Sequence, residues 1–238
     1  MSDSKLYTVY KGVYVPTHLH PAESLKFYEE FSFRPDDIII VTYPKSGTTW
    51  MQELVPLIMS GGDPASVHRA YILNLEERPS PRMFATHFHY NMMPTSFFKV
   101  KPKAKVLYVM RNPKDVFTSS FHYYGMASYL VKPGSQTEFL HKFLEGKVVF
   151  GSWFDHVKGW INAEDKDRII MATFLEKPLE DAVIEKIADR CVFKNMKKNK
   201  MSNYSLVPSE FMDQKKSEFL RKGVFCFNDV HTVDCKFY

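Results

Sequence analysis

An uninterrupted run of β-branched residues, Ile38-Ile39-Ile40-Val41, follows the turn-like string Pro35-Asp36-Asp37 with no polar residue alternating within it. An apolar run without alternation suits a strand covered on both faces, the situation of strands in a parallel sheet. Val106-Leu107-Tyr108-Val109-Met110 and Arg168-Ile169-Ile170-Met171 read the same way. Helix-like segments separate the three runs, which is the βαβ order of an α/β fold. One helix is predicted after Ser135, where Phe139, Leu140, Phe143 and Leu144 share a face and Gly146 stops the run. Another starts at Pro178, suited to a first turn, and continues through Leu179, Val183, Ile184 and Ile187. The region around His18, Phe27 and Tyr28 supports only a loop followed by a short helix.

The first strand runs directly into Thr42-Tyr43-Pro44-Lys45-Ser46-Gly47-Thr48-Thr49-Trp50, and then into a helix-competent stretch from Met51 to Met59 that ends near Gly61-Gly62. Binding a phosphate takes free N–H groups at a helix N-terminus, a glycine that lets the backbone approach the oxygens, and hydroxyl donors in the first turn. Gly47, Ser46, Thr48 and Thr49 supply these, and Lys45 adds a cation. An ordinary strand-to-helix turn capped by Ser or Thr accounts for the hydroxyls alone. In the ATPase loop the lysine follows the second glycine, whereas Lys45 precedes the only glycine here, so a ligand other than ATP is expected.

A second candidate follows Met110. Asn112 reads as a helix N-cap, Pro113 as the first helical residue and Asp115 as an acid near the positive end of the helix dipole. Arg111 therefore sits at the C-terminal end of a strand, where open α/β sheets bind ligands, although an arginine before a capped helix is as often structural. His87 lies in the strand-like segment Phe84 to Phe88, and by itself each of the nine histidines reads more readily as a surface or satisfied core residue than as a catalyst. His89 would share a strand face with His87, but no third metal ligand is marked by spacing, and no metal is expected. Arg221-Lys222-Gly223 reads by itself as a solvated helix end with a glycine cap, and the lysines between Lys194 and Lys200 as a solvated face.

Composition narrows this picture without changing it. The 238 residues, 45% hydrophobic, permit one sizeable core, and a single domain over residues 1–238 is expected because no composition shift marks a linker. There is no long apolar span and no signal-peptide core after Met1, so a soluble cytoplasmic protein without a membrane partner is expected. Three cysteines in no C-x-x-C pair suggest neither a disulfide framework nor a zinc site. The formal charge of +5 suits an anionic ligand. The basic residues are dispersed and lack aromatic interleaving, which speaks against nucleic acid.

The string T-Y-P-K-S-G-T-T-W resembles the 5′-phosphosulfate loop of the cytosolic sulfotransferases. That resemblance implies a three-layer α/β fold with a central parallel sheet and a P-loop-like loop. It also implies use of 3′-phosphoadenosine 5′-phosphosulfate (PAPS) as donor, with 3′-phosphoadenosine 5′-phosphate (PAP) as product and no metal. By the same likeness Ser46, Gly47, Thr48 and Thr49 hold the 5′-phosphate, Lys45 contacts the oxygen bridging sulfur and phosphorus, and Trp50 stacks on adenine. R-N-P-K-D-V is similar to the family's 3′-phosphate site, implying Arg111 and Ser119, which Arg221, Lys222 and Gly223 complete. Phe193 matches an adenine contact, and the T-H-F string implies His87 as the base. The implied reaction moves a sulfuryl group to the hydroxyl or amine of a small apolar acceptor, a phenol, steroid or amine, by in-line displacement.

The resemblance runs from about Arg34 to Gly223, with departures. After Met171 a crossover helix is expected to be missing, and the stretch from Pro64 to Arg78 is short. Asn228 and Phe237 replace charged residues of the family's dimer motif. A shortened member is implied, a monomer or weak homodimer, with a catalytically silent PAPS- or PAP-binding variant as the alternative.

Overall fold

The computed structural model describes residues 6–67, 75–101, 103–165, 167, 169–171 and 180–221. It opens with a hairpin of strands β1 (Tyr7–Tyr10) and β2 (Val13–Pro16), joined by Lys11 and Gly12. Both turn residues have positive φ, 47° and 82°, the conformation that two-residue hairpin turns demand. Part of the loop expected at the N-terminus is thus a strand pair. Short alternating strands on either side of a Lys-Gly turn carry a weaker signal than the long apolar runs of the sheet. Helix α1 (Ala22–Glu30) follows, as the short helix expected there.

The central sheet holds β3 (Ile38–Thr42), β4 (Met83–Thr86), β5 (Lys105–Val109) and β6 (Ile169–Met171). All neighbours pair in parallel, in the order β4-β3-β5-β6. Every residue of β3 is buried, because its two faces serve different layers. Ile39 and Val41 meet Val106 and Tyr108 in a large aromatic core, while Ile38 and Ile40 pack with Leu107 and with Val55 of α2 (Thr48–Met59). The third strand ends one residue earlier than its apolar run suggests, and Met110 leaves the ladder half-exposed. Arg168 lies outside the described residues.

The aromatic layer is completed by α1 and by three helices that follow β5, with α3 (Thr95–Lys99) before that strand. Helix α4 (Pro113–Met126) starts as expected, with the Asn112 side chain accepting from the Lys114 N–H at 3.0 Å and Pro113 in the first turn. Helix α5 (Gln136–Leu144) has a reciprocal cap between Ser135 and Glu138 and buries Phe139 and Phe143, while Leu140 and Leu144 face outward. Helix α6 (Trp153–Ile161) inserts Trp160, whose indole N–H donates to the Phe88 carbonyl at 3.0 Å.

On the opposite face α2 is covered by α7 (Asp181–Cys191), through Leu57 against Ile187 and Cys191. Pro178 and Leu179, the expected start of this helix, lie outside the described residues, as do residues 172–177 of the expected shortened crossover. Helices α8 (Phe193–Lys198) and α9 (Lys200–Asn203) complete this layer. The buried carboxylate of Glu53 on α2 accepts from Arg190 at 2.8 Å, Asn199 at 3.0 Å and Ser202 at 3.1 Å, tying the three helices to α2. Among the described residues no helix is long and apolar enough to cross a membrane.

Candidate active site

The C-terminal ends of β3, β4 and β5 lie side by side, since Val41 pairs with Thr86 and Thr42 with Val109. Ligands of open parallel sheets bind at such an edge. From β3 the chain turns through Tyr43–Ser46 and enters α2 at Gly47, whose φ of 117° and ψ of 12° belong to the left-handed region. Only glycine takes that conformation without strain, so the turn that aims the first α2 amides outward depends on Gly47. Lys45 also has positive φ, at 68°, and is a strained residue in the same turn.

Ser46 is buried, and among the described residues its hydroxyl has no hydrogen-bond partner. A buried hydroxyl without a partner costs free energy that an incoming anion's oxygen would recover. Together with the helix N-terminus, the hydroxyls of Thr48 and Thr49 and the Lys45 cation, this donor set fits a phosphate.

His87 follows the last residue of β4, which places it beside Thr42. Its Nδ1 lies 2.8 Å from the Thr42 carbonyl oxygen. A carbonyl only accepts, so Nδ1 carries a proton, and in the neutral ring the lone pair is then at Nε2. The Thr42 hydroxyl lies 3.2 Å from the same ring nitrogen and 2.6 Å from the Thr48 hydroxyl, so a hydrogen-bonded line joins the imidazole to the first turn of α2. Burial lowers the pKa of His87 below the ordinary 6.5, and the charge of Lys45 adds to the effect against the opposing pull of the Thr42 carbonyl. His89 faces elsewhere, with Nε2 2.7 Å from the Phe150 carbonyl and its ring 4.9 Å from that of His156.

Arg111 donates from Nη1 to the Lys45 carbonyl at 3.0 Å, so the end of β5 holds the phosphate loop directly. Its Nε is 3.9 Å from Asp115, a loose pair one turn into α4. Ser119 lies farther along α4 and is half-buried. One turn beyond it, His122 is held below the usual histidine range by burial and then by the charge of Arg221, which brings the C-terminal segment to this helix. Lys222 and Gly223 lie outside the described residues. Trp50 is half-buried in the first turn of α2, and Phe193 opens α8 within the group anchored by Glu53.

The sheet edge therefore gathers Lys45–Trp50, His87 and Arg111. Three residues not singled out from the sequence join them: Thr42, which links base and loop, and Tyr123 and Phe219, whose rings flank the Lys45 ammonium. A polar residue ending an otherwise apolar strand was the visible signal for Thr42. The two aromatics carry no local signal.

Comparison with known proteins agrees with this geometry. The family model described as the sulfotransferase domain matches residues 35–173 and 170–226. Sulfotransferase 2B1 of Mus musculus is 40% identical over 249 aligned positions, covering 92% of this chain and 73% of the relative. Sulfotransferase 1B1 of Canis lupus familiaris is 38% identical, covering 82% of this chain and 78% of the relative. A crystal structure of mouse sulfotransferase SULT7A1 complexed with PAP superposes with a TM-score of 0.71 at 31% identity, covering 82% of this chain and 77% of that one. A three-layer α/β chain of this sequence, with this loop between β3 and α2, belongs to the sulfotransferase family.

Proposed function

We propose that this chain binds PAPS and transfers its sulfuryl group to the hydroxyl or amine of a small apolar acceptor, with His87 as the base. The observation that carries this reading is the line from His87 through Thr42 to Thr48, which holds the imidazole beside the loop with Nδ1 turned toward Thr42. The matching PAP complex of mouse SULT7A1 supports the nucleotide.

In this reading Ser46, Gly47, Thr48 and Thr49 hold the 5′-phosphate, and Trp50 and Phe193 flank adenine. Arg111, Ser119, Arg221, Lys222 and Gly223 hold the 3′-phosphate. When bound, PAPS supplies the sulfuryl group and leaves as PAP. His87 takes the acceptor's proton at Nε2 as the acceptor atom bonds to sulfur. Lys45 neutralises the charge left on the bridging oxygen as its bond to sulfur breaks. Fixed charges and positioning carry such transfers more than covalent chemistry does. A single domain, working in the cytoplasm as a monomer or weak homodimer, completes the reading.

The test is transfer of radiolabelled sulfate from PAPS to separate pools of phenols, steroids and amines, with PAP formed in equal amount. Labelled product in at least one pool supports the reading. PAP binding without transfer to any pool marks a silent variant and overturns the catalytic assignment.

A pH prediction follows from the histidine. A base must be neutral, and a pKa lowered by burial keeps His87 neutral at pH 7. Titration of its imidazole by NMR in the free chain, assigned by difference from a His87→Asn variant, should give a midpoint under 6.5. A midpoint above that value contradicts the burial argument.

A further inference from the structure

The Lys45 ammonium does not stand in open water above the loop. Its nitrogen lies 4.2 Å from the centroid of the Tyr123 ring on α4 and 4.0 Å from that of Phe219 in the C-terminal segment. The two rings are 6.0 Å apart and inclined at 70°, so they form two walls of a box. Each wall is propped from outside: Tyr204 packs on Phe219 at 4.3 Å, and the hydroxyls of Tyr123 and Tyr129 are hydrogen-bonded. Among the described residues no carboxylate pairs with Lys45, and the charged or titratable groups that face it are Arg111, at the end of β5, and His87, at the end of β4. The Tyr123 hydroxyl stays protonated, because burial pushes it well above the usual phenol range.

We propose that Tyr123 and Phe219 are positioning residues for Lys45, holding its side-chain nitrogen between two aromatic faces beside the phosphate loop so that nucleotide binding takes up one proton there. This rests on the nucleotide assignment above. Aromatic faces attract an ammonium, yet they return only part of the hydration they displace. Burial accordingly draws Lys45 down to about 7, and the Arg111 charge adds to it. At pH 8 the amine is then mostly neutral in the free chain. An anionic nucleotide favours the ammonium, so the amine takes a proton from the buffer as the complex forms. The rings thus hold Lys45 beside the loop with part of its hydration already displaced, and the bound anion charges it.

The experiment is calorimetric titration of PAP into the wild-type chain between pH 7.5 and 9, in buffers that differ in ionisation heat. Uptake should approach one proton, with affinity falling by about tenfold per pH unit, the linkage slope for a single proton. Phe219→Ser and Tyr123→Leu admit water to the nitrogen and should cut uptake below about half a proton and flatten the slope, while Tyr123→Phe keeps the ring face and should match wild type. Phe219 is only half-buried in a segment without helix or strand, so its replacement leaves the core intact. A purely structural role for these rings would lower affinity equally at every pH. Wild-type binding without proton uptake, or full uptake in both Phe219→Ser and Tyr123→Leu, overturns the proposal. Absence of PAP binding in the wild type overturns the nucleotide assignment itself.

Discussion

His87→Ala is expected to lower kcat by about 100- to 10,000-fold, the range that a positioned general base contributes, while PAP affinity stays within about threefold of wild type. The two effects separate because, among the described residues, the imidazole is hydrogen-bonded to this region through Thr42. Its Nδ1–H is spent on the Thr42 carbonyl, and the Thr42 hydroxyl can keep its 2.6 Å contact with Thr48 when the ring is gone. Among the described residues the other histidine near this edge, His89, is turned toward the Phe150 carbonyl. Steady-state turnover with an acceptor that the wild-type chain sulfates, set beside calorimetric PAP binding, checks both halves. A kcat loss of less than tenfold would remove His87 from the chemistry. Equal losses of turnover and PAP affinity would make it a structural support for the loop.

The second large effect lies at the other end of the sheet. Asp37 and Arg82 are 0% and 2% exposed and form a paired contact, Nε to Oδ1 at 2.8 Å and Nη2 to Oδ2 at 2.6 Å. Two further bonds hold the pair, since Asp37 accepts from the Arg34 N–H at 2.7 Å and Arg82 donates to the Ser32 carbonyl at 2.8 Å. The backbone of the same residues opens the sheet, with Ile38 N–H on the Arg82 carbonyl and Lys105 N–H on the Asp37 carbonyl. Asp37→Ala strands a buried guanidinium at the start of β3, β4 and β5. Removing one partner of a buried pair typically costs about 3–5 kcal/mol, a large part of the roughly 5–15 kcal/mol that holds a domain together. Replacing both partners with apolar residues, as in Asp37→Ala with Arg82→Leu, should recover much of that loss, because the cost comes from the unpaired charge. Urea unfolding of the three chains measures this, and a loss under about 1 kcal/mol for Asp37→Ala contradicts it.

The parallel sheet was legible because burial on both faces leaves a mark along the chain, as in Ile38–Val41, where no position is free to be polar. The Asn112-Pro113 and Ser135 helix starts were legible for a similar reason, since each cap is a contact between neighbours in sequence. The hairpin at Tyr7–Pro16 was missed, although Lys11-Gly12 sits where a two-residue turn belongs, because its strands are short and half-exposed. The site divides along the same line. Gly47 and the loop hydroxyls act through backbone geometry within one turn, which a local string encodes. The Thr42 link to His87 and the rings around Lys45 are made through space between segments far apart in the chain. No spacing rule announces such contacts, and they set the hydrogen bonding of His87 and the surroundings of Lys45.

The direct measurement is the heat of PAP titrated into the folded wild-type chain at pH 7, with Gly47→Val as the comparison. A saturable 1:1 signal is expected, weakened at least about tenfold in the variant, because a β-branched residue cannot hold a φ of 117° without strain. No heat from folded wild-type protein, or equal affinity in the two chains, would mean that the loop at residues 43–50 does not hold the nucleotide.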